Sequence, residues 1–222
     1  MRIVFVRHGE PDYVNDCLTE KGRIQAEALV DRLLEEGIED IWSSPMGRAY
    51  ETALPTAERL GLPVRIAEFM HELDWGSVDD EPVFADGHPW DIADEMSRRG
   101  ISLNRTDWRE NELFKRNRVL KTIDAVEEGI DEMLAMYGYN RNGSYYDHDH
   151  QEEKHGTIAV FSHGGSSAAA LGHILDLPFP YACGLFHISF TGITIVRMDW
   201  RAGHCTLPCL ELANDGGHLK GI

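Results

Sequence analysis

Three short apolar runs, far apart in the chain, each stop at a polar cluster of the same kind. Ile3-Val4-Phe5-Val6 stops at Arg7-His8-Gly9, Asp40-Ile41-Trp42-Ser43 at Ser44-Pro45, and the run from Thr157 to Phe161 at Ser162-His163-Gly164-Gly165. Brief apolar runs of this kind read as strands buried on both faces, the habit of parallel sheets. Ligands in open α/β sheets bind outside the carboxyl ends of the strands. The pattern therefore points to one sheet edge at which two histidines and their polar neighbours collect.

The segments between these runs fit the same reading. Thr19 offers an N-cap to a helix that extends to about Glu36, with Ile24, Ala28, Leu29, Leu33 and Leu34 as its apolar stripe and Gly37 as its stop. A second helix is expected from about Arg48 to Leu60, followed by Gly61 and a short strand, Val64-Arg65-Ile66. This βαβαβ alternation predicts an α/β fold, a three-layer αβα sandwich around a mostly parallel sheet. The whole chain, 1–222, reads as one domain. Within it, 77–155 breaks the alternation and forms a variable helical cap, with helices at 90–99 and 111–136 and a polar loop from Tyr137 to His155. A small-residue helix from Ser166 to Leu175 follows. Ser189 to Met198 and Thr206 to Leu212 should close the sheet as a hairpin turning at Arg201-Ala202-Gly203.

Composition narrows the function. The 222 residues carry a net charge of -17, which repels nucleic acid and anionic membranes, so neither is an expected partner. A phosphate site must then be built from specific cations. The four cysteines form no CxxC pair, and the N-terminus turns charged too early for a signal peptide; both suggest a cytoplasmic protein with reduced thiols. Oligomeric state is not legible.

Arg7, Arg48, His8 and His163 together suit a phosphoryl group. Guanidinium makes forked bonds to phosphate oxygens, and a neutral imidazole serves as nucleophile or proton carrier. Phosphoryl transfer mainly needs positioning and neutralisation of charge on the equatorial oxygens. Gly9 and Gly164 remove side chains beside each histidine, which lets backbone and substrate approach closely. His71-Glu72-Leu73-Asp74 adds carboxylates after the third strand.

Arg7-His8-Gly9-Glu10, Leu18-Thr19-Glu20-Lys21-Gly22, Ser43-Ser44-Pro45-Met46-Gly47-Arg48 with Ala49-Tyr50-Glu51-Thr52-Ala53, Glu72-Leu73-Asp74-Trp75-Gly76 and Ser162-His163-Gly164-Gly165 occur in this order. Together they resemble the histidine phosphatase superfamily, also called phosphoglycerate mutase-like. The resemblance implies that His8 is the nucleophile, that Arg7, Arg48 and His163 complete the phosphate pocket, and that Glu72 protonates the leaving oxygen, with Asp74 as its rival. No metal or other cofactor is needed. The resemblance favours a phosphatase acting on a small phosphorylated metabolite. The alternatives are a cofactor-dependent phosphoglycerate mutase and a non-catalytic binding or regulatory member. Against a mutase stand the short link from Glu10 to Leu18, where Asn15 is the remaining candidate to face the pocket, and Gly165, where mutases tend to have Asn. Arg98-Arg99 resemble a mutase's paired arginines but read as solvated charges. Asp147-His148-Asp149-His150, with His155, reads as a solvated loop. Trp75, Phe84, Trp90 and Trp108 read as cap packing or as a cleft lining.

Overall fold

The structure is a computed structural model that describes residues 1–148, 156–200 and 204–222. The first strand, β1 (Arg2–Arg7), leads into a two-rung hairpin of β2 (Pro11–Asp12) and β3 (Cys17–Leu18). Helix α1 (Glu20–Leu34) begins where the Thr19 side chain accepts from the Gly22 N–H. Strand β4 (Ile38–Ser43), helix α2 (Gly47–Leu60) and strand β5 (Val64–Ile66) follow. Gly61 ends α2 with φ at 68°, a left-handed turn that suits glycine. The buried face of α1 is rotated from the expected stripe. Gly22, Gln25, Ala26, Leu29, Val30 and Leu33 face inward, whereas Ile24 is exposed. Close contact at Gly22 fixes that rotation, because a Cβ there would sit 2.1 Å from the Glu10 carbonyl oxygen.

Beyond residue 76 come α3 (Pro89–Arg98) and α4 (Val119–Met136). The expected helix over 111–136 starts eight residues late. The backbone before it is committed elsewhere: Val78 N–H bonds Arg116 O and Arg118 N–H bonds Gly76 O. Groups spent on that pairing cannot enter a helical ladder. The expected polar loop after Tyr137 is instead, in its described part, a hairpin of β6 (Tyr139–Asn142) and β7 (Tyr145–His148), with Tyr139 and Tyr146 fully buried. Gly143-Ser144 is its two-residue turn, and Gly143 has φ at 65°. Asp149, His150 and His155 lie outside the described residues, as does the expected turn at Arg201-Ala202-Gly203. Strand β8 (Thr157–Ser162), α5 (Gly164–Ile174), α6 (Phe179–Leu185), β9 (Ile193–Met198) and β10 (Pro208–Asp215) complete the order. Helix α6 had no sequence expectation.

The main sheet has the order β10-β9-β1-β8-β4-β5. Strands β1, β8, β4 and β5 pair in parallel, and β9 runs against both its neighbours. The two late strands thus form the expected edge hairpin. Alternate residues of each central strand serve two cores. Val4, Val6, Ala159 and Phe161 pack with Leu29 and Leu33 of α1 and Ala53 and Ala57 of α2. Ile3, Phe5, Ile158 and Val160 pack with Ile123, Val126 and Ile130 of α4 and Ala169 and Ala170 of α5. Helices therefore cover both faces, the three-layer arrangement expected of the βαβ pattern.

Candidate active site

The register of the parallel strands sets the site. Arg7 lies opposite Ser162 and Ser43 opposite Phe161, so the three polar clusters leave the sheet side by side. His8 N–H donates to Ser162 O at 2.9 Å and Ser44 N–H to Phe161 O at 2.8 Å, which carries the pairing one residue past the strands. The rings of His8 and His163 end 5.1 Å apart between centroids. Arg48, in the first turn of α2, brings its Nε to 3.3 Å from His8 Nε2. Residues separated by 155 positions meet because adjacent parallel strands end at the same level.

The His8 environment settles its tautomer. Its Nδ1 lies 2.7 Å from the Gly9 carbonyl, a pure acceptor, so Nδ1 carries the proton. Nε2 then holds the lone pair and accepts from Arg48. Burial pushes the His8 pKa down to about 4, and the charges of Arg7 and Arg48 act in the same direction. The ring is neutral at pH 7. Thr52 of α2 braces this turn: its Oγ1 accepts from Gly9 N–H at 3.0 Å and donates to Arg48 O at 2.7 Å. Gly9 itself is needed for packing, since a Cβ there would meet Gly22 O at 2.7 Å. This is the close backbone approach expected of Gly9.

Arg7 donates from Nη1 to Ile188 O at 2.7 Å and lies 4.5 Å over the Phe190 ring. Its Nε is buried and has no partner among the described residues. His163 Nε2 meets Ser44 Oγ at 2.8 Å, while its Nδ1 and the Ser166 Oγ are likewise buried and unpartnered there. Burial, with Arg48 and His8 nearby, drives the His163 pKa well down. Arg48 pairs through Nη1 with Asp16 Oδ1, and Asp16 Oδ2 accepts from the Gly47 N–H. Asp16 thus caps α2 and aims its arginine at once. Tyr13 lies under Arg48, 5.4 Å from guanidinium carbon to ring centroid.

Glu72 reaches across from the segment after β5. Its Oε1 accepts from the N–H groups of Leu73, Gly165 and Ser166 at 2.9, 3.0 and 3.2 Å, two of them in the first turn of α5. Desolvation nonetheless outweighs these donors and the nearby arginines, and the carboxyl pKa is raised. Gly165 makes the approach possible, because a Cβ there would fall 2.6 Å from Glu72 Oε1. Asp74, the rival acid, is exposed and pairs with Arg118 at 3.0 Å.

A cleft of about 330 Å³ opens above these groups, with Arg7, Glu72 and Gly164 on its floor and Tyr13, Trp75, His88, Trp90 and Phe186 among its walls. His187 lies at its rim, exposed. Trp75 and Trp90 therefore face a cavity, whereas Trp108 is buried against Phe114 and Phe179 and Phe84 is exposed. Asn15 is exposed and closes a turn with Asp12, donating to Oδ2 at 2.7 Å; it does not line the cleft. Arg98 and Arg99 pair with Asp94 and Glu95 on the exposed side of α3. Asp16, Tyr13 and Phe190 had no place in the sequence reading, and Thr52 stood there within a motif without a role. No group of His, Cys, Asp and Glu among the described residues has the geometry to hold a metal ion.

Two buried histidines and two arginines thus meet at the carboxyl ends of a parallel sheet, beside an open cleft. Residues 3–135, more than half the chain, match the histidine phosphatase superfamily (branch 1), and the chain belongs to that family. It is 26% identical over 211 residues to glucosyl-3-phosphoglycerate phosphatase of Mycobacterium tuberculosis, covering 87% of this chain and 85% of that protein. A shorter stretch of 85 residues, 34% of this chain and 40% of the other, is 33% identical to phosphoserine phosphatase 1 of Hydrogenobacter thermophilus. Among solved structures, a mycobacterial glucosyl-3-phosphoglycerate phosphatase with inorganic phosphate superposes with a TM-score of 0.67 at 23% identity, over 98% of this chain and 99% of that one. No helix among the described residues is long and apolar enough to cross a membrane.

Proposed function

We propose that the chain hydrolyses a small phosphate monoester through a phosphohistidine on His8. The observation that carries this reading is the fixed tautomer: Nδ1–H bonded to Gly9 O leaves the Nε2 lone pair available, next to the Nε of Arg48. His8 Nε2 attacks phosphorus, and the ester P–O bond breaks. The departing oxygen takes a proton from Glu72, whose raised pKa keeps the proton available. Glu72, now ionised, takes a proton from water as that water attacks phosphorus. The P–N bond breaks, inorganic phosphate leaves and His8 returns to neutral. One carboxyl serves both halves because each half is the chemical reverse of the other.

Arg7, Arg48 and His163 bind the phosphoryl oxygens. In support, Arg7 Nε and His163 Nδ1 are polar atoms shut from water without a partner among the described residues, and such groups are few unless a ligand satisfies them. The family and its named relatives point the same way: glucosyl-3-phosphoglycerate phosphatase and phosphoserine phosphatase act on small phosphate esters. The described part of the segment 77–155 acts as a cap, contributing His88 and Trp90 to the cleft. A mutase must also hold the charged remainder of its substrate. Here the link from Glu10 to Leu18 is short, Arg98 and Arg99 are engaged with their own helix, and residue 165 is glycine. Hydrolysis is therefore the favoured outcome.

The test is a screen of small phosphate esters with His8→Ala alongside. Wild type should release phosphate and carry acid-labile, alkali-stable phosphate on His8. The variant should lose roughly 10³-fold or more in kcat, the scale on which nucleophile deletions act. Wild-type turnover in the variant, or isomer formation from 3-phosphoglycerate and a bisphosphoglycerate primer outrunning phosphate release, would sink the reading.

A further inference from the structure

The walls of the cleft bear on the part of the substrate that is not phosphate. Trp75 and Trp90 flank His88, with ring centroids 5.2 and 5.5 Å from it, and Tyr13 and Phe186 face the same space. This aromatic wall is held in shape from behind. The buried Asn117 accepts from Gly76 N–H at 3.2 Å and donates to Gly87 O at 2.6 Å, tying together the residues that follow Trp75 and precede His88. Gly76 and Gly87 have φ at 123° and 82°, and a Cβ on Gly87 would lie 2.6 Å from Gly76 N. Positive φ calls for glycine at both positions, and the close approach forces it at Gly87. The rings are thus set before any ligand arrives.

Charge on the walls is as telling. Arg7 is the only lysine or arginine among the described residues that line the cleft. Every arginine of the described segment 98–118 is paired outside it: Arg98 with Asp94, Arg99 with Glu95, Arg105 with Asp107, Arg109 with Asp124 and Glu127, Arg116 with Asp79, and Arg118 with Asp74. Of the two wall histidines, His88 faces Asp91 through Nδ1 at 3.0 Å, and His187 is exposed to water. A carboxylate on the leaving alcohol would meet aromatic faces and the Glu72 carboxyl, with no guanidinium or ammonium among the described lining residues other than that of Arg7.

We infer that the leaving alcohol is uncharged and carries a planar ring, which stacks on the wall formed by Trp75, His88 and Trp90. The inference rests on the phosphatase reading and refines it. It also separates this chain from the substrates in its relatives' names, since phosphoserine and glucosyl-3-phosphoglycerate both carry a carboxylate. At about 330 Å³ the cleft sits at the low end of ligand sites, roughly 300–1,000 Å³, which suits a small ester and not a phosphoprotein loop.

Alkyl esters of similar leaving ability separate recognition from intrinsic reactivity. Wild type would be assayed on benzyl phosphate, propyl phosphate, glucose 6-phosphate, phosphoserine and 3-phosphoglycerate, with a nucleoside 5′-monophosphate as a second ring source. Benzyl phosphate or the nucleotide should have the highest kcat/KM. Trp90→Ala should cut the benzyl-to-propyl ratio roughly tenfold, the worth of one ring-to-ring contact. A higher kcat/KM on either carboxylate-bearing ester or on glucose 6-phosphate overturns the inference while leaving hydrolysis standing. An unchanged ratio in Trp90→Ala overturns it too. No turnover of any ester, with no phosphate on His8, is a different failure: it removes the hydrolase reading and this inference with it.

Discussion

Around His8 each residue type answers a separate demand. Gly165 is the sharpest case. In the sequence it stands in the second histidine motif and departs from the mutase pattern, but no packing demand on it is visible there. Its need became visible once Glu72 was placed, because a Cβ at 165 would overlap both Glu72 Oε1 and the Leu73 side chain, 2.6 and 2.9 Å away. Gly165→Ala should therefore push the carboxyl off its backbone donors while the α5 helix persists, since alanine is a better helix former. The expected effect is a loss of about 10²-fold in kcat, the range of general acid catalysis, with a much smaller change in KM. Steady-state kinetics on one ester decides it; a mutant with wild-type kcat would show that Glu72 is not held by this contact. Arg7, His8, Arg48 and His163 were legible because histidine and arginine beside glycine at strand ends are uncommon and recurrent. Asp16 and Thr52 were not, because an acidic turn residue and a helical threonine are ordinary until the arginine and the glycine they bond are known.

At the scale of elements, the strands were readable and the cap was not. Buried strands announce themselves by short apolar runs, and their parallel pairing alone explains why His8 and His163 meet. Leu113 falls in helical phase with Leu120, yet the stretch 111–118 pairs with 76–78 and stays irregular. Nothing local encodes that choice; it depends on Asn117 finding Gly76 and Gly87 across 41 and 30 residues of chain. Helix α4 depends on the same side chain, because Asn117 Oδ1 also accepts from Val119 N–H at 3.0 Å. Asn117→Ala removes three hydrogen bonds and leaves their partners buried, which should cost about 3 kcal/mol in urea denaturation. The same change should raise KM more than it lowers kcat, since it loosens the aromatic wall and leaves the histidines alone. A variant as stable as wild type would mean that the clasp is not what holds the wall.

Taken whole, the molecule sets a net charge of -17 around a pocket that carries two arginines and two neutral histidines. Lowering the pH relieves the surface repulsion, but the pocket responds in the opposite sense. His8 has an ordinary pKa of 6.5 in the unfolded chain and about 4 when buried. Below pH 6.5 the unfolded chain binds a proton that the folded chain refuses until about pH 4, so this group costs stability as the pH falls through that window. Burial depresses His163 in the same direction. Glu72 acts oppositely, since its raised pKa favours the fold at low pH and its contribution is lost as pH rises past the ordinary carboxyl value. These terms are separated by comparing wild type with His8→Asn, because surface charge, His163 and Glu72 are common to both. Between pH 7 and pH 5 the wild type should lose about 2 kcal/mol more than the variant, the free energy of about 1.5 pH units of refused protonation. Urea denaturation at the two pH values measures the difference. A gap that stays constant would mean that His8 takes up a proton as readily in the folded chain as in the unfolded one, and the neutral nucleophile would lose its structural basis.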